Sequence, residues 1–386
     1  MTDLPQKAQV VVIGGGVMGA STAYHLALRG CRDVVVLERN AAFGTGATGK
    51  GAGGIRYQFS TEINIRLSQL SLPMLERFEA ETGQAIDLRR PGYLFLLTDE
   101  AEVKLFRQTF ELQHRLGVPT EWLSGDDVRR RLPMLAADDV LAATFHAGDG
   151  LADPHGVVSG YIRAGRRLGV RAFADAEVIG IDVQAGRVTG VQTAQHRLKC
   201  DIVVNAAGPW SAVVSQTAGI FLPVTPLRRQ LLTTTPLPEI PDDFPVVIDL
   251  ARGLGFHREG DGLLTGMSNP NEIPGFDERV DKDWELVHLE AAIERLPLLV
   301  RAKRLTHWAG LYEVTPDNHP IYGAVPGLDG YYVVSGFSGH GFMHGPVSGL
   351  LMAEIILDGQ ASSLDVSRLD YQRFSEGRLI RESSVI

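Results

Sequence analysis

Val10-Val11-Val12-Ile13-Gly14-Gly15-Gly16-Val17-Met18-Gly19 carries two signals at once. Four consecutive β-branched residues read as a buried parallel strand. Gly14, Gly16 and Gly19 then give the G-x-G-x-x-G spacing. A helix-like stretch follows from Ala20 to Arg29 and stops at Gly30, a suitable C′ residue. The next strand, Val34-Val35-Val36-Leu37, ends in Glu38. Each part has a physical role in holding a dinucleotide. Gly14 allows the tight turn out of the strand, Gly16 lets backbone approach a pyrophosphate, and Gly19 lets helix and strand pack closely. The helix N-terminus presents free N–H groups to the phosphates. Glu38 stands where a carboxylate accepts bonds from ribose hydroxyls, which disfavours the 2′-phosphate of NADP.

The bulk properties leave room for this unit and a second one. With 386 residues, 44% hydrophobic and 22% charged, the chain is of ordinary globular composition and long enough for two to three domain-sized units. A net charge of −9, without a basic run, argues against nucleic acid as a partner. Cys31 and Cys200 read as buried free thiols, which fits a reducing, cytoplasmic setting. No metal-ligand spacing appears. The short polar lead Met1–Gln9 has no apolar core of a signal peptide, and no apolar run reaches membrane-spanning length.

Further along, Ala41–Gly54 reads as a glycine-rich loop. Glu62–Thr82 has helical spacing, with Ile63, Leu67, Leu70, Leu75 and Phe78 as its apolar face. Gly92–Leu97 reads as a buried strand, Glu100–Leu116 and Gly156–Leu168 as helices, and Asp126–Leu132 as a short helix or turn ended by Pro133. Ala176–Asp182 and Arg187–Gln195 form a strand-turn-strand, and Asp201–Asn205 a buried strand. Between Phe221 and Trp308 short strand-like runs alternate, including Leu231–Thr233, Val246–Ile248, Leu254–Arg258 and Leu263–Gly266. They suggest an antiparallel sheet with a helix over Lys282–Leu296. Gly330–Gly336 is a strand again, and a last helix is expected from Gly345 to Leu357.

The N-terminal fingerprint, the turn Asn205-Ala206-Ala207-Gly208-Pro209-Trp210 and the turn Gly336-Phe337-Ser338-Gly339-His340-Gly341-Phe342 together resemble the FAD-dependent D-amino-acid-oxidase superfamily. Within it the chain resembles the sarcosine oxidase, glycine oxidase and dimethylglycine dehydrogenase branch, and there the flavin-bearing β subunits of heteromeric sarcosine oxidase and proline dehydrogenase. The resemblance implies an α/β fold (α+β overall), a Rossmann-like FAD-binding domain with an inserted antiparallel-sheet substrate domain. The expected division is 1–85, 147–220 and 320–386 for FAD, and 86–146 and 221–319 for substrate.

For the site, the resemblance implies FAD contacts from Gly14, Gly16, Val17, Met18, Gly19, Glu38 and Arg39. It implies further contacts from Lys50, Gly51, Ala52, Gly53, Gly54, Val178, Ala207, Gly208, Trp210 and Gly310. The C-terminal turn adds Gly336, Gly339, His340, Gly341, Phe342 and Met343. Lys50 is expected to offset pyrophosphate or reduced-flavin charge, and the last helix to aim its positive end at the flavin. Arg56 matches an arginine that binds the substrate carboxylate, a task its planar fork suits. Tyr312 and His340 match active-site positions. Gly310 stands where relatives carry a flavin-linking cysteine, so noncovalent FAD is expected. Leu264 replaces an oxygen-activating lysine, Ser268 a nearby histidine, and Met343 a second carboxylate-binding lysine. Pro154 lies where an FMN-linking histidine would fall.

The implied activity is oxidation of the C–N bond of a small amino acid or N-methyl amino acid, sarcosine-, glycine- or proline-like. Hydride passes to flavin N5 and the resulting imine hydrolyses. A dehydrogenase, or an oxidase slow with oxygen, is expected, with a second subunit or separate electron acceptor. The alternatives are a 2-hydroxy-acid dehydrogenase and a noncatalytic, electron-relay flavoprotein subunit.

Overall fold

The computed structural model describes residues 4–384, so the ends of the polar lead and of the last expected FAD segment lie outside the described residues. The fingerprint folds as β1 (Lys7–Ile13), α1 (Val17–Leu28) and β2 (Val34–Leu37). β1 and β2 pair in parallel from Val10↔Val34 to Ile13↔Leu37. Arg197–Asn205 pairs in parallel on the other side of β1, and Tyr331–Ser335 beyond it. Arg171–Phe173 extends the sheet beside β2, and Ile321–Ala324 closes the opposite edge antiparallel. The expected strand-turn-strand is a hairpin, Val178–Gln184 and Arg187–Thr193, attached to Arg197–Asn205.

Strand alternation divides the apolar residues between two faces. Val10, Val12, Val34 and Val36 pack against α1, the helix Pro154–Arg167 and the C-terminal helix Gly341–Asp358. Val11, Ile13, Val35 and Leu37 pack on the opposite face against Val191 and Val214, from the hairpin and the short helix Ser211–Gln216. A sheet covered on both faces needs continuous apolar strands, which is why β2 is Val-Val-Val-Leu. α1 and the C-terminal helix approach closely at small residues. A methyl group on Gly349 would lie 2.2 Å from Ser21 Oγ, and one on Gly345 2.4 Å from Val17 Cγ2.

The second sheet has eight strands, in the order Arg304–Val314, Thr225–Thr234, Gly262–Met267, Leu254–Glu259, Val246–Asp249, Tyr93–Leu97, Ala142–His146 and Glu121–Ser124. It departs from the fully antiparallel expectation at one pair: Val246–Asp249 runs parallel to Tyr93–Leu97. These strands are far apart in sequence, so no hairpin forces them antiparallel. The helix Lys282–Arg295 covers one face, with Ala292 among Leu94, Leu96, Val247 and Phe256. The other face, carrying Tyr93, Val246 and Ile248, looks toward the first sheet's unit across a cavity.

Two helix expectations change. Glu62–Thr82 splits at Arg77 into Glu62–Glu76 and Phe78–Thr82, and Leu70, expected inward, is 36% exposed. The C-terminal helix starts at Gly341, not Gly345. Its N-cap, His340, makes no side-chain capping bond, so no Ser, Thr or Asp marks the start. Among the described residues no helix is long and apolar enough to cross a membrane, and no group of metal-ligating side chains assembles. Cys31 and Cys200 are buried free thiols, and burial pushes the Cys200 thiol up to about 12.

Candidate active site

A cavity of about 360 Å³ runs from the β1–α1 turn to the second sheet. At the first end the glycines are explained by different neighbours. Gly14, at φ +106°, faces Ala206 O, which a methyl group would approach to 2.3 Å; at Gly19 it would lie 1.9 Å from Gly14 O. Gly16 is different, because only Thr48 Oγ1, at 3.2 Å, lies near its missing side chain, and Gly16 lines the cavity. The protein itself leaves that space open, as a pyrophosphate requires. α1 starts there at a glycine N-cap with no acidic residue in its first turn; Val17 N donates to Thr48 Oγ1 at 3.2 Å, and the positive end of the helix suits an anion.

Around this cradle the expected residues converge. Val17, Met18, Glu38, Arg39, Gly51, Ala52, Gly53, Gly54, Val178, Ala207, Gly208 and Trp210 all line the cavity. Glu38 accepts from Gly15 N at 2.7 Å and Asn40 N at 2.8 Å, fixing both sides of the turn. The Arg39 guanidinium lies 3.5 Å from the Trp210 ring centre. These residues fit the dinucleotide of FAD.

The C-terminal turn and the second sheet form the other end. Gly339, His340, Gly341, Phe342 and Met343 line it. Gly339 adopts φ +98°, and a methyl group there would meet the Tyr312 ring at 2.3 Å. Backbone and ring are therefore in contact, which holds Tyr312 at the cavity wall. His340 is buried with neither ring nitrogen bonded to protein. Burial, then the neighbouring His344, His319 and Arg56, hold it well below the usual histidine range, so its ring is neutral. Phe59 meets its ring edge-on, with centroids 5.4 Å apart.

Arg56 lines the cavity with both terminal nitrogens engaged by backbone carbonyls. Nη1 donates to Gln58 O and Nη2 to Ser384 O, the latter at 2.5 Å, and the guanidinium lies 3.9 Å from the Phe59 ring centre. Ser384 is held there because buried Glu382, two residues earlier, accepts from Ser60, Thr61 and Asn64. Four other expected contacts lie outside the cavity lining. Lys50 Nζ pairs with Glu278 at 2.7 Å, so its charge is turned aside. Its aliphatic stem fills the space over Gly310, where a methyl group would lie 2.8 Å from Lys50 Cβ. Gly336 faces Thr315, and Gly19 packs on the β1 turn.

Three side chains at this end were not singled out from the sequence. Arg229 lines the cavity with a buried Nε that has no partner. Tyr93 faces it from the strand Tyr93–Leu97, and burial raises its phenol. His257 is buried with Nε2 unpartnered, and burial lowers its pKa. Period-two alternation from Thr225 to Thr234 is the signal that would have exposed Arg229, since successive arginines must face opposite sides.

Comparison with known proteins follows this geometry. A family model described as "FAD dependent oxidoreductase" (DAO) matches residues 9–355. The chain is 30% identical over 390 residues to mitochondrial dimethylglycine dehydrogenase of Rattus norvegicus, covering 96% of this chain and 45% of the relative. The chain thus spans about half the length of the curated relatives it first matches. It is 27% identical to sarcosine oxidase subunit beta of Rhodobacter capsulatus, covering 98% and 91%. The structure of L-proline dehydrogenase from P. horikoshii superposes with a TM-score of 0.90 at 33% identity, covering 97% and 100%. With its fingerprint, open cradle and C-terminal turn assembled on one cavity, the chain belongs to the DAO family of FAD-dependent oxidoreductases.

Proposed function

We propose that the chain oxidises the C–N bond of a small amino acid or N-methyl amino acid, of the proline, sarcosine or glycine kind. The observation that carries this is the cavity's composition. An open dinucleotide cradle at Gly16 joins a chamber lined by Tyr93, Arg229, Val246, Ile248, His257, Leu264, Tyr312 and His340. That set contains a guanidinium for a carboxylate and an apolar wall for a small carbon skeleton; the carboxylate beside Tyr312, Glu313, is engaged by Ser335 Oγ at 2.8 Å and Phe337 N at 3.3 Å, and burial raises its pKa. A buried, arginine-lined chamber favours the uncharged amine, the form that gives up hydride without a strong base. Likeness to proteins named proline and dimethylglycine dehydrogenase supports the same substrate class.

When bound, FAD supplies the hydride acceptor at N5, and water hydrolyses the imine product. The protein's part is to position and exclude. Gly14, Gly16 and Glu38 hold the dinucleotide. Tyr312, fixed against Gly339, and the neutral His340 line the reacting end. Arg56 acts as a positioning residue, tying the turn at Gln58 to the tail at Ser384. In this reading 1–85, 147–220 and 320–386 serve FAD, and 86–146 and 221–319 the substrate. FAD is noncovalent in this reading, since Gly310, packed under the Lys50 stem, stands where relatives carry the linking cysteine. Electrons leave for a second subunit or another acceptor, because apolar Leu264 lines the cavity and Lys50 is paired with Glu278. The two free thiols suit the cytoplasm.

Anaerobic mixing of the yellow holoprotein with a panel of amino acids, N-methyl amino acids and 2-hydroxy acids tests this. Bleaching by an amine-bearing member is expected. Bleaching by hydroxy acids alone, or by no member, would overturn the reading in favour of a hydroxy-acid enzyme or a relay subunit.

A further inference from the structure

Two adjacent arginines on the strand Thr225–Thr234 have opposite fates. Arg228 is saturated: it meets Glu272 at 3.1 Å, Asp281 at 3.4 Å and Asp277 at 3.7 Å, and donates to Arg279 O at 2.8 Å. Arg229, turned to the other face, makes no ion pair among the described residues. Its Nη1 bonds Arg228 O at 3.0 Å and its Nε is buried without a partner. Burying a guanidinium with an unused donor is costly unless something completes it. An anion entering through the cavity that Arg229 lines would complete it and offset its charge.

The surroundings set that anion's size and kind. The guanidinium stands 5.0 Å from the Tyr312 ring centre, and Tyr312 rests on Gly339 in the C-terminal turn. Gly310 lies opposite Arg229 in the register, and the aliphatic stem of Lys50 packs over it beside the guanidinium's strand. Val246, Ile248 and Leu264 supply apolar wall. The competing cation, Arg56, already donates to two backbone carbonyls.

We infer that Arg229 is the carboxylate anchor of the substrate site, and that the ligand is a small monocarboxylate with an apolar body packed on Val246, Ile248 and Leu264. The inference rests on the amino-acid reading above, but its test does not depend on turnover. The probes are cyclopentanecarboxylate and its neutral match, cyclopentanecarboxamide, titrated into holoprotein by calorimetry. Wild type should bind the carboxylate much more tightly than the amide. Arg229→Gln should raise the carboxylate Kd by about 30- to 5000-fold, as expected for loss of a buried charge-assisted pair. Amide binding and FAD content should stay close to wild type. Arg229→Lys keeps the charge without the fork and should fall between the two.

If Arg229→Gln does not fold, the Lys variant decides: an unchanged carboxylate Kd would overturn the assignment. So would a carboxylate preference that survives Arg229→Gln, or a wild type that does not distinguish the two probes. A preference abolished by Arg56→Gln but kept in Arg229→Gln would move the anchor to Arg56. A clear Arg229-dependent preference in a protein bleached only by hydroxy acids would uphold the anchor while ending the amine reading.

Discussion

Gly16 and Gly19 are three residues apart and glycine for unrelated reasons. At Gly19 the obstacle is the chain's own carbonyl, 1.9 Å from where a methyl group would lie. Gly19→Ala should therefore destabilise the fold by about 3 kcal/mol, read as a lower midpoint in urea. At Gly16 the open space belongs to the cofactor, so Gly16→Val should keep native circular dichroism and lose flavin absorbance. A Gly16→Val protein with full flavin content would refute the cradle. Lys50 gives the converse case. Its ammonium pairs with Glu278 on partly exposed side chains, so Lys50→Met should keep its FAD and change stability by less than about 1 kcal/mol. Loss of flavin in that variant would return Lys50 to the cofactor site.

Among elements, the helix Lys282–Arg295 fixes the second sheet through its last residue. The Arg295 side chain is 1% exposed and meets Asp249 at 2.8 Å and Asp139 at 2.7 Å. Asp249 ends the strand whose Val246 and Ile248 line the cavity. Removing the arginine leaves a fully buried carboxylate with only the longer contact to Arg252 at 3.5 Å. Arg295→Ala should lower unfolding free energy by about 3–5 kcal/mol in a denaturant titration. A loss under 1 kcal/mol would mean that Asp249 finds another partner or takes up a proton.

Across the whole molecule, buried neutral histidines make stability depend on pH. Burial lowers His25 and His288 to about 4 and His344 to about 3. Unfolded histidines titrate near 6.5, so below that value the unfolded chain binds more protons than the folded one. Stability is complete above about pH 6.5 and falls as pH drops through the folded values, each histidine adding a slope of about 1.4 kcal/mol per pH unit. The holoprotein's melting temperature should decline steadily between pH 7 and pH 5, above the range where carboxylates titrate. A flat profile there would show that these rings are charged or exposed.

The dinucleotide half was legible because it is local. A strand, a spaced glycine turn and a helix follow one another from Val10 to Leu28, so strand burial, turn geometry and the helix N-terminus are all written in contiguous residues. The C-terminal turn was legible for the same reason, although its uncapped helix start was placed four residues late. The substrate end is assembled from strands distant in sequence, and sequence alone does not say which partner satisfies a given charge. Arg56, Lys50 and Arg229 are equally plausible cations as letters. Tertiary contacts separate them: Ser384 and Gln58 engage Arg56, Glu278 takes Lys50, and the alternation of one strand turns Arg229 toward the cavity without an ion-pair partner among the described residues. A backbone motif is fixed by its own residues, whereas the availability of a charged side chain is fixed by whatever the fold brings beside it.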